Sequence, residues 1–316
     1  LALITDRNVV VLVGGVGGAK LALGLQQIVA PEKLTVIVNT GDDFWHYGLK
    51  ICPDIDTSLY TLSGRVNKEF GWGVADDSKT TLDALKSLGE DPWFGLGDKD
   101  IATHLLRTHL LRQGKTLTEI VALLASRMGI DATILPMTDT EVPTMVDTVE
   151  HGELEFQEYF VKYRWQPTVK SLRFTNIESA TMTDAVQGAI QQADVILFGP
   201  SNPWLSIAPI LAVPGMRDSL IARNIPRIAV TPIVEGKAIK GPAAKLMAEL
   251  GYEVSAQTVA EYYSNVITGF VYDRRDVDFK PYELNSVSYD TIMVTDEDKA
   301  RLAEQILTWC NNVEVV

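Results

Sequence analysis

The chain has 316 residues, 46% of them hydrophobic and 22% charged, with a formal net charge of −13. This is ordinary globular composition, with room for one large α/β domain or a core carrying a sizeable insertion, and it excludes general disorder. The acidic balance argues against sequence-independent binding to a nucleic-acid backbone; no apolar run reaches the roughly 18–20 residues that cross a bilayer; and two cysteines, Cys52 and Cys310, are too few for a disulfide framework or a cysteine-rich zinc site.

In chain order, Leu1 to Val13 is a charged lead-in followed by a short apolar run, without the basic flank and cleavage site of a signal peptide. Val9 to Val13 is a continuous apolar run closed by Gly14-Gly15, as expected of a buried parallel strand. Ala19 to Ile28 follows as a helix with Leu21, Leu25 and Ile28 on one stripe, and Leu34 to Val38 is a second buried strand. The chain therefore opens β-α-β, the unit of a parallel sheet. From about Leu62 to Met128 helical patterns take over: Thr80 to Leu88, Ile101 to Arg112 and Leu117 to Met128. Strands return at Ala132 to Leu135 and Thr144 to Val149. The α/β rhythm resumes with helix Thr183 to Gln192, strand Val195 to Phe198, helical Leu205 to Arg223, strand Arg227 to Val230 and helix Ala243 to Leu250. Thr268 to Tyr272 is a late strand and Asp298 to Asn311 a closing helix. The expected fold is α/β: a Rossmann-like, doubly wound, mainly parallel sheet with a helical insertion. It forms one domain over 1–316, with its core in 1–62 and 130–316 and the insertion at 63–129.

Four motifs can carry chemistry. Gly14, Gly15, Gly17 and Gly18 lie between the first strand and its helix, with Lys20 just inside. Backbone N–H groups at a helix N-terminus suit a phosphate, although a tight turn without a ligand is the plainer alternative. The spacing fits neither G-x-G-x-x-G, because Lys20 stands at its last position, nor a Walker A loop, because Leu21 follows the lysine. Asn39, not an acid, ends the second strand, which argues against a dehydrogenase gripping a ribose there. Asn39-Thr40-Gly41-Asp42-Asp43 and Cys52-Pro53-Asp54-Ile55-Asp56-Thr57 place four carboxylates outside strand ends. Beside a diphosphate they would repel it unless a cation intervened, and Mg²⁺ suits one or two carboxylates plus phosphate oxygens; singly, each acid reads equally as a cap or a turn former. Gly199-Pro200-Ser201-Asn202-Pro203 is another strand-to-helix turn, either a cap or a second ligand-facing loop. Leu96 to Thr108 brings Lys99, Thr103 and Arg107 onto one helical face, an anion-facing stripe or a solvated one, with Asp100 as its cap in the latter case. The four histidines form no HExxH or similar motif, and His104 alone reads as structural.

Together these motifs resemble the 2-phospho-L-lactate transferase family of deazaflavin coenzyme (F-420) biosynthesis. The likeness rests on GGVGGAKL (14–21), NTGDDFWHYGLKICPDIDTSLYTLSG (39–64), WFGLGDKDIATHLLRT (93–108), FQEYFVKYR (156–164), GPSNPWLSI (199–207), AVPGMRDSL (212–220) and GPAAKLM (241–247). It implies an enzyme in which the ribityl hydroxyl of the deazaflavin Fo attacks a guanosine diphosphate ester of lactate or enolpyruvate, with Mg²⁺ as cofactor and GMP as the product that leaves. Under that resemblance Gly14, Gly15, Gly17, Gly18, Lys20, Ser201 and Asn202 hold the nucleotide. Asp43 and Asp56 are the catalytic acids, Asp43, Asp54 and Asp56 the metal ligands, and Trp45, Asp54, Asp56 and Lys99 the deazaflavin site. Lys99 departs from the arginine frequent at that family position, keeping the charge but losing the bidentate fork. The resemblance also implies a cytoplasmic protein acting on small molecules, not on nucleic acid or membrane, with a homodimer as the assembly to test. The rival reading is a non-enzymatic nucleotide-sugar-binding regulator of a related glycine-rich α/β group, because fold does not fix function.

Overall fold

The computed structural model describes residues 5–239, 241–280 and 284–313, so the first four residues of the expected lead-in lie outside it. Seven parallel strands form the central sheet: β1 (Val9–Val13), β2 (Leu34–Val38), β3 (Thr133–Pro136), β4 (Val195–Phe198), β5 (Arg227–Val230), β6 (Gly269–Asp273) and β7 (Asn285–Tyr289). Their spatial order is β3-β2-β1-β4-β5-β6-β7. The expected Rossmann-like α/β sheet is present. β1 sits at its centre, with Val11 opposite Val36 of β2 and Leu197 of β4. Its unbroken apolar run reflects burial on both faces: Val9, Val11 and Val13 enter one core while Val10 and Leu12 enter the other.

The first core is covered by helices α1 (Val16–Gln26), α2 (Pro53–Leu62) and the C-terminal helix Asp296–Trp309. The sequence between β2 and β3 also holds α3 (Thr80–Ser87), α4 (Asp98–Arg112) and α5 (Leu117–Met128). The expected boundary at 129 does not follow the packing. Leu117, Ile120, Val121 and Leu124 of α5 are buried in the first core, since a right-handed crossover into parallel β3 needs a helix over the sheet. Helix α5 is fixed at both ends, by a Thr116–Glu119 capping box and by Gly129 at φ 76°.

Three expectations change. The strand at Thr144–Thr148 forms, but in a separate antiparallel sheet with Gly152–Glu155 and Val169–Phe174. The helical stretch 205–223 is broken into a π-turn at Pro203–Ile207 and short helices at Ala208–Ala212 and Met216–Ile221, because Pro214 and Gly215 (φ 79°) interrupt it. Helix α1 begins at Val16, so Gly17 and Gly18 belong to its first turn and not to the preceding loop. Among the described residues no helix is long and apolar enough to cross a membrane.

Candidate functional site

Strand order reverses between β1 and β4, and the loops after β1, β2 and β4 meet there, where doubly wound sheets bind ligands. A cavity of about 710 Å³ opens at this point. Gly15, Val16, Gly17 and Lys20 line it from the glycine-rich turn, Ser201 and Asn202 from the β4 loop, and Asp42, Asp54 and Asp56 from the loops after β2.

The glycines work by close approach. A Cβ on Gly15 would overlap the Asp54 carboxylate, and one on Gly17 would overlap the Pro200 carbonyl oxygen. Gly17 therefore lets the two ligand-facing loops touch. Gly14 donates its N–H to Ser201 Oγ at 3.0 Å, which locks the same pair of loops. The 11-residue helix α1 leaves its first N–H groups facing the cavity. Asn202 accepts from the N–H groups of Trp204 and Leu205 with Oδ1, as a cap does, and its buried Nδ2 keeps no hydrogen-bond partner. The Lys20 ammonium donates to the Met293 carbonyl at 2.8 Å on the cavity wall.

The acids separate into three environments. Asp42 and Asp54 are joined by the buried Asn39 amide, whose Nδ2 donates to Asp42 Oδ1 at 3.1 Å and Asp54 Oδ2 at 2.9 Å. Burial pushes Asp54 up to about 7, against the Asn39 hydrogen bond. Burial, and then the charge of Asp54, push Asp42 well above the carboxylate range. Neither acid caps a helix: α2 starts at Pro53 with Cys52 as its cap, and Asp54 lies in the first turn. Two buried carboxylates sharing one neutral amide form a hard-oxygen set short of positive charge, which fits Mg²⁺.

Asp56 faces the same cavity but is already paired. Arg107, fully buried, grips both of its carboxylate oxygens, Nη1 lying 3.0 Å from Oδ2. Arg107 Nη1 also lies 3.1 Å from His104 Nδ1, so that nitrogen is the acceptor and the ring proton sits on Nε2. Nε2 is 3.2 Å from Asp100 Oδ1, outside good hydrogen-bond angle, while Tyr60 donates to the same oxygen at 2.6 Å. Asp56, Asp100 and His104 could surround a metal by distance alone, but the Arg107 guanidinium already supplies the cation there.

Asp43, Trp45 and Lys99 do not line the cavity. Asp43 is buried beside it with Oδ1 unpartnered, raised to about 7 by burial against the charge of Lys50. Trp45 is 47% exposed and donates Nε1–H to Glu141. Lys99 borders instead a second cavity of about 370 Å³, and its ammonium donates to the carbonyls of Ala75 and Asp76. The one-face stripe holds for spacing, but Thr103 and Arg107 are buried and Lys99 is exposed.

The aromatic wall was not expected from the sequence. Phe70, Trp72 and Phe94 line the cavity from the insertion, and Phe156, Phe160 and Trp165 from the segment between the second and third strands of the small sheet. Phe156 and Phe160 stack at 5.4 Å and 14°, and Phe70 faces Trp72 at 5.6 Å. Phe70 and Trp72 are about half exposed. The only sequence signal was their flanking glycines, which bend the chain at Gly71 and Gly73 (φ 77° and 69°).

A family model described as 2-phospho-L-lactate transferase CofD matches residues 9–312. The chain belongs to the 2-phospho-L-lactate transferase CofD family. The 2-phospho-L-lactate transferase of Methanosarcina mazei is 38% identical over 302 residues, covering 94% of this chain and 99% of that protein. The phosphoenolpyruvate transferase of Streptomyces coelicolor is 42% identical over 276 residues, covering 86% of each. In fold, the chain is similar to a UPF0052-family protein of Bacillus halodurans, with a TM-score of 0.62 at 15% identity over 96% of this chain and 99% of that one. Membership in the CofD family makes this protein a transferase acting on small molecules, and the cavity at the switch point is its candidate active site.

Proposed function

We propose that this CofD-family protein moves a phospholactyl or phosphoenolpyruvyl group from a guanosine diphosphate ester to the ribityl hydroxyl of the deazaflavin Fo, releasing GMP, within coenzyme F-420 biosynthesis. The observation that carries the reading is one continuous cavity that joins a helix N-terminal phosphate seat to a two-sided aromatic wall. The names of the Methanosarcina and Streptomyces relatives support the two candidate donors.

In this reading the diphosphate lies on the N–H groups of Gly15, Val16 and Gly17, with Asn202 Nδ2 as a further donor. The planar acceptor ring sits against the aromatic wall. Asp42 and Asp54 would hold Mg²⁺, which would supply charge neutralisation beside the diphosphate. Asp56, oriented by Arg107, accepts a hydrogen bond from the attacking hydroxyl and aims it at the phosphorus next to the carboxylic acid moiety. The new O–P bond forms as the bridging P–O bond breaks, its electron pair leaving on the GMP phosphate, and the hydroxyl proton passes to Asp56 or water. A loose phosphoryl-transfer transition state needs positioning and charge more than a strong base, which suits a carboxylate already paired with arginine.

The test is incubation of the protein with Fo and each guanosine diphosphate ester in turn, with product mass followed. Appearance of GMP together with Fo carrying the phospholactyl or phosphoenolpyruvyl group is the expected result. Transfer with neither ester, or equal binding of GDP and ADP by calorimetry, would remove the reading.

A further inference from the structure

Gln157 stands beside Phe156 on the cavity wall, at the start of the π-turn Glu158–Lys162. The residue is only 5% exposed, and its amide makes no hydrogen bond among the described residues while its polar atoms stay open to the cavity. An amide that opens onto a cavity with no protein partner is free to pair with whatever occupies that cavity. Gln157 precedes the π-turn without capping it with its side chain, and the turn is closed by the Tyr163 N–H to the Glu158 carbonyl at 2.9 Å. The Phe156 and Phe160 rings, stacked on each other, line the same cavity as this amide.

A flat apolar face with an unpaired amide at its edge has a specific complement. The carboxamide presents C=O and N–H side by side, and a cis-amide edge of a planar heterocycle presents N–H and C=O in matching order. We infer that Gln157 is a specificity-determining residue that reads the cis-amide edge of a planar heterocycle lying against Phe156 and Phe160. This rests on the function proposed above, in which two substrates carry such an edge: the imide of the deazaflavin and the lactam of guanine. Removing the amide leaves the ring face intact but leaves the heterocycle's own N–H and C=O unpaired. Sites built on such pairs reject analogues that lack them strongly.

The experiment uses the full chain with Mg²⁺. Binding of Fo and of an N3-methylated Fo is followed by fluorescence quenching, and binding of GDP and of IDP by calorimetry, for wild type, Gln157→Leu and Gln157→Glu. Wild type is expected to bind one parent heterocycle about tenfold or more tightly than Gln157→Leu does, the usual scale for a lost buried hydrogen-bond pair. Methylating Fo at N3 should cost wild type as much and cost Gln157→Leu nothing further, because the two changes remove the same contact. An effect on Fo alone identifies the imide as the edge read, and an effect on GDP and IDP alike but not on Fo identifies the lactam. Gln157→Glu keeps the acceptor and loses the donor, so it should weaken binding of the same ligand; its melting curve also checks that the turn still folds. Unchanged affinity for both heterocycles in both variants overturns the assignment of Gln157 while leaving the transferase reading in place. Failure of wild type to bind either heterocycle overturns that reading and this inference together.

Discussion

Arg107→Met tests the pairing beneath the site. The substitution keeps an unbranched side chain in a position with no exposure, and strands the Asp56 carboxylate and the His104 Nδ1 acceptor. At an effective dielectric near 20, two unit charges about 3 Å apart attract by about 5 kcal/mol. Much of that is offset by desolvation of both ions, and removing one partner of a buried pair costs about 3–5 kcal/mol because the other charge is left uncompensated. Unfolding entropy of about 2.1 cal/mol/K per residue, over 316 residues, is about 0.7 kcal/mol/K, so Tm should fall by about 5–8 °C. Asp56→Asn alone strands the arginine and should also lower Tm. The double variant removes both charges and should recover at least about 2 kcal/mol relative to the sum of the singles, the coupling expected of a direct contact. Differential scanning calorimetry on the four proteins measures this, with transfer activity followed in parallel. Additive losses, or an Arg107→Met protein as stable as wild type, would refute the buried ion pair. A double variant that regains stability but not activity separates the role of Asp56 toward the hydroxyl from its role in packing.

Asp54→Asn and Asp42→Asn should each lower turnover by orders of magnitude and weaken GDP binding in excess Mg²⁺ more than in chelator; calorimetry with and without EDTA checks this, and equal losses in both conditions would place the cation elsewhere. Gly17→Val should abolish nucleotide binding by forcing the Pro200 loop away from α1, whereas retained GDP affinity would show that the two loops need not touch. Asp43 and Asp54 titrate near 7 in the folded chain but near 3.9 unfolded. Between those values the folded state binds more protons, so metal-free stability should fall as pH rises through about 4 to 7. Measured as Tm in EDTA at pH 5.5 and 8, that fall should shrink in Asp43→Asn; an unchanged slope in the variant would show that Asp43 carries no such shift.

Much of this protein was determined by local sequence. The apolar runs of β1, β2 and β4 could be buried only on both faces, and that alone dictates a parallel sheet covered by helices on two sides. The glycine-rich turn after β1 and the Gly199–Asn202 turn after β4 were readable because strand ends, helix starts and glycine leave local marks. What local pattern does not carry is which carboxylate meets which partner. Asp54 and Asp56 are two residues apart on α2, so their side chains point in different directions. One therefore shares Asn39 with Asp42, while the other meets Arg107 from a helix 51 residues away in sequence. Lys99 and Arg107 share a face of α4 by spacing, yet Lys99 is exposed in its first turn while Arg107 is covered by Lys50 and Asp56 from outside the helix. The aromatic wall was invisible for a related reason. Phe70 and Trp72 come from the insertion and Phe156 and Phe160 from the far side of β3, and only the closure of the chain over the switch point puts them around one cavity. Strand and helix follow from neighbours along the chain, but a site's electrostatics follow from neighbours in space, and for this fold the tertiary structure decided those.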